Sequence, residues 1–142
     1  MTVQTWLVDL SGDECARLLE AAVVGRLGVV IQGRPEIFPV SHVYDAESGS
    51  VAFPTGGHTK IHAALEWPWV AYEIDGLDES AETAWSVQVV GRAEEITDLE
   101  LIERLSRLRA ERVRWISGES VRWLRIVAVK VSGRRIQAVS PE

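Results

Sequence analysis

The sequence predicts an α+β, mainly β domain: an antiparallel barrel of about six short strands with helices at its periphery. Three observations lead there. Short runs rich in valine, isoleucine and aromatics recur between turn residues. Helical patterns are inserted between some of these runs rather than alternating with each. The 142 residues suit one domain, residues 1–142, with no room for a second.

Ser11 and Glu14 have the spacing with which two side chains satisfy free N–H groups at a helix start. Leu18, Leu19 and Ala22 then supply an apolar face, so a helix is predicted over about Gly12 to Ala22. Gly25 to Ile31 has strand composition, breaks at Gln32-Gly33, and resumes from Glu36 to Tyr44, which reads as a hairpin. Ser50 to Phe53 is a third strand ending at Pro54. The polar loop Thr55 to Lys60 leads into a short helix from Ile61 to Leu65, which Pro68 stops. Trp69 to Ile74 is a fourth strand, and acidic Asp75 to Glu82 is a loop. Trp85 to Ala93 is a fifth strand. Thr97 and Glu100 repeat the capping spacing before the stripe Leu101, Ile102, Leu105 and Leu108 of another helix. A strand over Val121 to Val131 follows, and Gly133 precedes a last short stretch through Ile136.

The net charge of −6 repels a phosphate backbone, which argues against a nucleic-acid partner. Apolar stretches run only a few residues, far short of the roughly 20 of a spanning helix, and no basic-then-apolar export signal is read at the N-terminus. With Cys15 as the only cysteine, a cytoplasmic protein without membrane partner or internal disulfide is expected. Many arginines lie late in the chain, from Arg104 to Arg135, and read mainly as a solvated helix face laced with i,i+4 ion pairs.

The loop Thr55-Gly56-Gly57-His58-Thr59-Lys60 offers two hydroxyls and an ammonium where glycines let backbone approach a ligand. It suits a phosphate, although read alone it is an ordinary glycine turn and helix cap. On Pro39-Val40-Ser41-His42, alternation sends Val40 and His42 to one face and Ser41 to the other. His58 and His62 are four apart, but no third ligand is evident and no metal is expected. Six tryptophans are many for this length; Trp67, Trp69, Trp85, Trp115 and Trp123 are candidates to pack a core, cover an interface or stack on a ring.

Four blocks in register, Gly25 to Gly28, Arg34 to Tyr44, Phe53 to Lys60 and Trp85 to Ala93, resemble the pyridoxamine-5′-phosphate-oxidase-like, FMN-binding split-barrel family. The resemblance covers roughly Leu10 to Ile136. It implies a split barrel acting as a homodimer, with Val40, Ser41 and His42 beside the isoalloxazine and ribityl chain of FMN and Pro54 with Thr55 at the end of the next strand. It further implies Thr59 and Lys60 at the phosphate, Ser86 after Trp85 reaching the flavin from the dimer interface, and Trp123 with Arg125 completing the site.

The family's vitamin oxidases carry basic residues where Ile37 and Thr59 stand here, and an Arg-x-His arrangement where the chain has Arg122-Trp123-Leu124-Arg125. Oxidation of pyridoxamine phosphate is therefore not expected. The implied activity is that of an FMN-dependent oxidoreductase with a small-molecule electron donor and acceptor. The alternatives are a deazaflavin-dependent reductase and a non-catalytic protein that holds flavin, or haem through His42, His58 or His62.

Overall fold

The computed structural model describes residues 4–55, 65–113 and 122–139. The expected loop from Gly56 to Lys60, almost all of the short helix from Ile61, Trp115 and Val121 lie outside the described residues. The elements are β1 (Gln4–Asp9), α1 (Gly12–Ala21), β2 (Val24–Ile31), β3 (Arg34–Ser41), β4 (Val43–Asp45), β5 (Ser50–Thr55), β6 (Trp69–Asp78), β7 (Thr83–Glu95), α2 (Leu99–Arg112) and β8 (Arg122–Val139). They form one curled antiparallel sheet, a split barrel, in the order β3-β2-β6-β7-β8-β5-β4, with β1 paired to β8.

Eight strands among the described residues replace the expected six or so. β1 escaped notice because Thr5 through Asp9 are all exposed, so the segment has no buried face and no alternating pattern. The strand expected from Glu36 to Tyr44 is interrupted at His42. The segment read as an acidic loop continues β6 as far as Asp78, because backbone pairing such as Asp75 with Ser86 and Asp78 with Thr83 needs no apolar side chain. The Asp78 carboxylate then closes the turn, accepting from Ser80 Oγ at 2.7 Å and from the Ala81 N–H at 3.1 Å. The C-terminal region is one strand running through Gly133.

Ser11 caps α1 as its spacing predicts, accepting from the Glu14 N–H at 3.2 Å. For α2 the cap is Asp98 and not Thr97: its Oδ1 accepts from the N–H groups of Glu100 and Leu101 at 3.0 and 3.5 Å. A carboxylate fills this role as well as a hydroxyl and adds charge complementary to the helix dipole. The β2–β3 hairpin turns on Gln32 and Gly33 at φ 51° and 77°, the left-handed pair that matches the twist of a tight hairpin.

Two apolar cores share β5 and β8. Inside the barrel, Leu27, Val29, Phe53, Tyr72, Ile74, Val87, Leu124 and Ile126 pack together and are closed over by Cys15 and Leu19 of α1. On the other face, Val43, Ala52, Ile96 and Trp123 pack beneath Leu105 of α2. Alternation along paired strands explains the division: Phe53 opposite Leu124 faces inward, while Pro54 opposite Trp123 faces the helix side. No helix among the described residues is long and apolar enough to cross a membrane.

Candidate functional site

The outermost strands of the sheet path, β3 and β4, are consecutive in the chain and separated by one residue, His42. The barrel's seam therefore lies at His42. Val40 and His42 are buried and Ser41 is half-buried. The His42 N–H donates to the Val23 carbonyl at 2.9 Å. Its ring Nε2 lies 2.8 Å from the Leu19 carbonyl and Nδ1 lies 2.5 Å from the Tyr72 hydroxyl.

A carbonyl only accepts, so Nε2 carries the hydrogen and the neutral ring leaves Nδ1 to accept from the tyrosine. Burial pulls the imidazole below its ordinary value, helped by the Arg112 charge and opposed by the Leu19 hydrogen bond. Burial also pushes the Tyr72 phenol upward, which keeps it a donor. The same hydroxyl lies 3.2 Å from the carbonyl of Val40. Both imidazole nitrogens are occupied, so the ring serves the core; a ligand beside this strand meets Ser41 and backbone.

Pro54, Thr55, Trp123 and Arg125 meet at one corner, where the end of β5 pairs with the start of β8. Pro54 is half-buried, and Thr55 is buried with its hydroxyl turned to the Arg122 carbonyl. Trp123 is 1% exposed, and its indole Nε1 has no hydrogen-bond partner among the described residues. The Arg125 guanidinium holds Glu94 through Nη2 and Nε at 2.5 and 2.6 Å. Beside it Arg122 pairs with Glu95 at 3.0 Å. Thr59 and Lys60 lie outside the described residues.

Trp85 and Ser86 sit elsewhere, at the far end of β8, where they pair with Arg135 and Arg134. Both are half-buried. The indole of Trp85 lies over Gly76, where a Cβ would come within 2.7 Å of it. Together with Leu7, Leu77, Ser86, Arg134 and Ile136 it lines a groove of about 480 Å³, mostly apolar with a few polar groups, the usual character of a small-molecule site. The two groups of residues thus lie at opposite ends of the longest described strand.

Sequence reasoning missed Tyr72 and Glu94. The inward positions Val70, Tyr72 and Ile74 announce a buried phenol in need of a partner, but nothing in the chain names His42 as that partner. Two of the four arginines of α2 also act differently from expectation. Arg104 reaches Asp45 and Glu47 in the β4–β5 turn at 2.9 and 2.7 Å, and Arg112 donates to the Ala21 carbonyl at 3.1 Å. They tie the helix to distant segments instead of pairing along it. Among the described residues no cluster of His, Cys, Asp or Glu is arranged to hold a metal ion.

The split barrel carries an apolar groove at one end of β8 and a buried tryptophan at the other, and comparison with known proteins gives its family. The sequence family described as pyridoxamine 5′-phosphate oxidase matches residues 11–135. The chain is 36% identical over 107 residues to the uncharacterized protein Rv0080 of Mycobacterium tuberculosis, covering 72% of this chain and 69% of that protein. Its fold is similar to that of an FAD-binding protein from Mesorhizobium loti, with TM-score 0.77 and 26% identity over 91% of this chain and 97% of the other. An FAD-binding protein from Mycobacterium smegmatis gives TM-score 0.73 and 28% identity, covering 90% and 98%. The chain belongs to the pyridoxamine 5′-phosphate oxidase-like family.

Proposed function

We propose that the protein is a flavin-dependent oxidoreductase that works as a homodimer, with FMN bound in clefts shared by two copies. The observation that carries this reading is the separation along β8. The corner of Pro54, Thr55, Trp123 and Arg125 and the groove of Trp85 and Ser86 pair with opposite ends of that strand, so a second copy is what brings them to one ligand. Exposed apolar side chains support the association: Val127, Val129 and Val131 in the middle of β8, with Leu7, Leu77 and Ile136 near the groove.

The residues present suit a flavin. The groove has the size and polarity of a cofactor site, and the buried Trp123 Nε1 at the corner has no hydrogen-bond partner among the described residues. When bound, the flavin supplies the redox chemistry, exchanging electrons between a small-molecule donor and acceptor. The chain's part is to bind and orient. Trp85, Leu77 and Ile136 exclude water from the ring, Ser86 offers a hydroxyl, and Ser41 with its backbone lines one edge. Thr59 and Lys60 hold the phosphate in this proposal. Haem is disfavoured at His42, whose two ring nitrogens are engaged.

The test is the absorbance spectrum and sedimentation behaviour of the purified protein, followed by titration with FMN, FAD and a deazaflavin. A yellow dimer, or a colourless one that takes up FMN and is bleached by a nicotinamide donor under anaerobic conditions, is the expected result. Flavin bound but inert to donors would make it a carrier. Uptake of deazaflavin alone, a red haem chromophore, or no uptake at all would overturn the proposal.

A further inference from the structure

We infer that the His42–Tyr72 pair is a positioning device for the cofactor site, setting the spacing across the barrel seam between Ser41 and the corner of Pro54, Thr55 and Trp123. The inference rests on the flavin reading above.

His42 is the one residue between the two ends of the sheet path. On one side Ser41 pairs with Val24 of β2. On the other, Val43 pairs with Ala52, and Ala52 pairs in turn with Arg125 of β8. Any displacement at His42 is passed to Ser41 in one direction and to the Arg125 rung in the other.

Three hydrogen bonds fix that residue to three different segments: the Val23 carbonyl before β2, the Leu19 carbonyl in α1, and the Tyr72 hydroxyl on β6. Tyr72 also reaches the Val40 carbonyl, so one phenol touches both sides of the junction of β3 with His42. Packing does not do the same work on the helix side. There a cavity of about 230 Å³ lies against His42, lined also by Tyr44, Asp45, Arg104 and Arg112. With open space on that side, directional bonds locate the seam there. The imidazole acts through Ser41 and the β5–β8 corner and is not itself a catalytic residue.

The test compares the full chain with Tyr72→Phe, His42→Gln and His42→Leu by FMN and FAD titration, visible circular dichroism of the bound flavin, and thermal unfolding. Tyr72→Phe keeps the ring and removes only the hydroxyl; it is expected to bind flavin roughly tenfold more weakly, with an altered visible spectrum, while still folded at the assay temperature. His42→Gln can donate an amide N–H to the Leu19 carbonyl and is expected to recover affinity that His42→Leu, matched in bulk, does not. Should His42→Leu fail to fold, Tyr72→Phe and His42→Gln carry the comparison. Wild-type affinity and an unchanged visible spectrum in Tyr72→Phe would overturn this inference alone. Failure of the unaltered chain to take up any flavin would overturn the functional reading, and this inference with it.

Discussion

Gly25 and Tyr72 compete for the same space: a Cβ on Gly25 would lie 2.3 Å from Cζ and 2.4 Å from Oη of the tyrosine. The ring has no room to retreat, since Tyr72 is fully buried and its hydroxyl is engaged by His42. Gly25→Ala is therefore expected to destabilise the fold by about 3 kcal/mol, the upper end of the usual cost of overpacking. Urea unfolding measures it, and a loss below about 1 kcal/mol would show that the tyrosine moves freely.

A pH dependence follows from the buried imidazole. The folded state holds His42 below the ordinary value of about 6.5, whereas the unfolded chain titrates near it. Stability from this group is fully present above about pH 6.5 and is lost as the pH falls toward the folded value, with a slope of at most about 1.4 kcal/mol per pH unit. Urea unfolding of wild type and His42→Gln at about pH 7.5 and about pH 5 isolates the effect. An equal pH dependence in both proteins would mean that His42 contributes none of it.

The start of α2 separates two adjacent candidates. Asp98→Ala is expected to cost about 1 kcal/mol, because two backbone N–H groups lose their acceptor, while Thr97→Ala stays within about 0.5 kcal/mol. The reverse order in thermal or chemical unfolding would restore Thr97 as the cap.

Val129 is 63% exposed and is skipped in the β7–β8 register, where Val90 pairs with Lys130 and Gly91 with Ala128. Replacing Val127 and Val129 together by glutamate is expected to change monomer stability by no more than about 1 kcal/mol, yet to give a monomer in sedimentation that binds flavin weakly. A double variant that stays dimeric would move the proposed interface off the middle of β8.

Lys60→Ala is expected to weaken FMN binding by about 1.5–3 kcal/mol, the cost of a lost charge-assisted hydrogen bond to phosphate. Isothermal titration decides it, and an unchanged Kd would remove Lys60 from the phosphate site.

Much of the fold was legible because its signals are local. Ser11 and Glu14 announced a helix start, Gln32-Gly33 a hairpin, and the valines of β7 a strand. What stayed hidden depends on distant partners. β1 has no buried face of its own, and the exposed end of β6 is held by pairing with β7 rather than by apolar residues. The interruption at His42 arises only because the sheet's two ends meet there. The family was readable as four sequence blocks in register, yet the geometry around the candidate residues was not. That Trp85 pairs with the end of β8 opposite to Trp123, that Arg125 is held by Glu94, and that His42 is turned inward all depend on pairings between residues far apart in the chain.

The eighteen residues of β8 border β7 on one side and β5, then β1, on the other. During synthesis, the N-terminal strand has no partner until Arg134 to Val139 have left the ribosome, and β5 waits for Arg122 to Ile126. Only pairings among β2 to β7 can form before then, so closure is a late, long-range event of the kind that slows β-rich folding and leaves strand edges open meanwhile. Substitutions in β8 should accordingly lower the yield of soluble protein during expression more than equal losses of stability elsewhere.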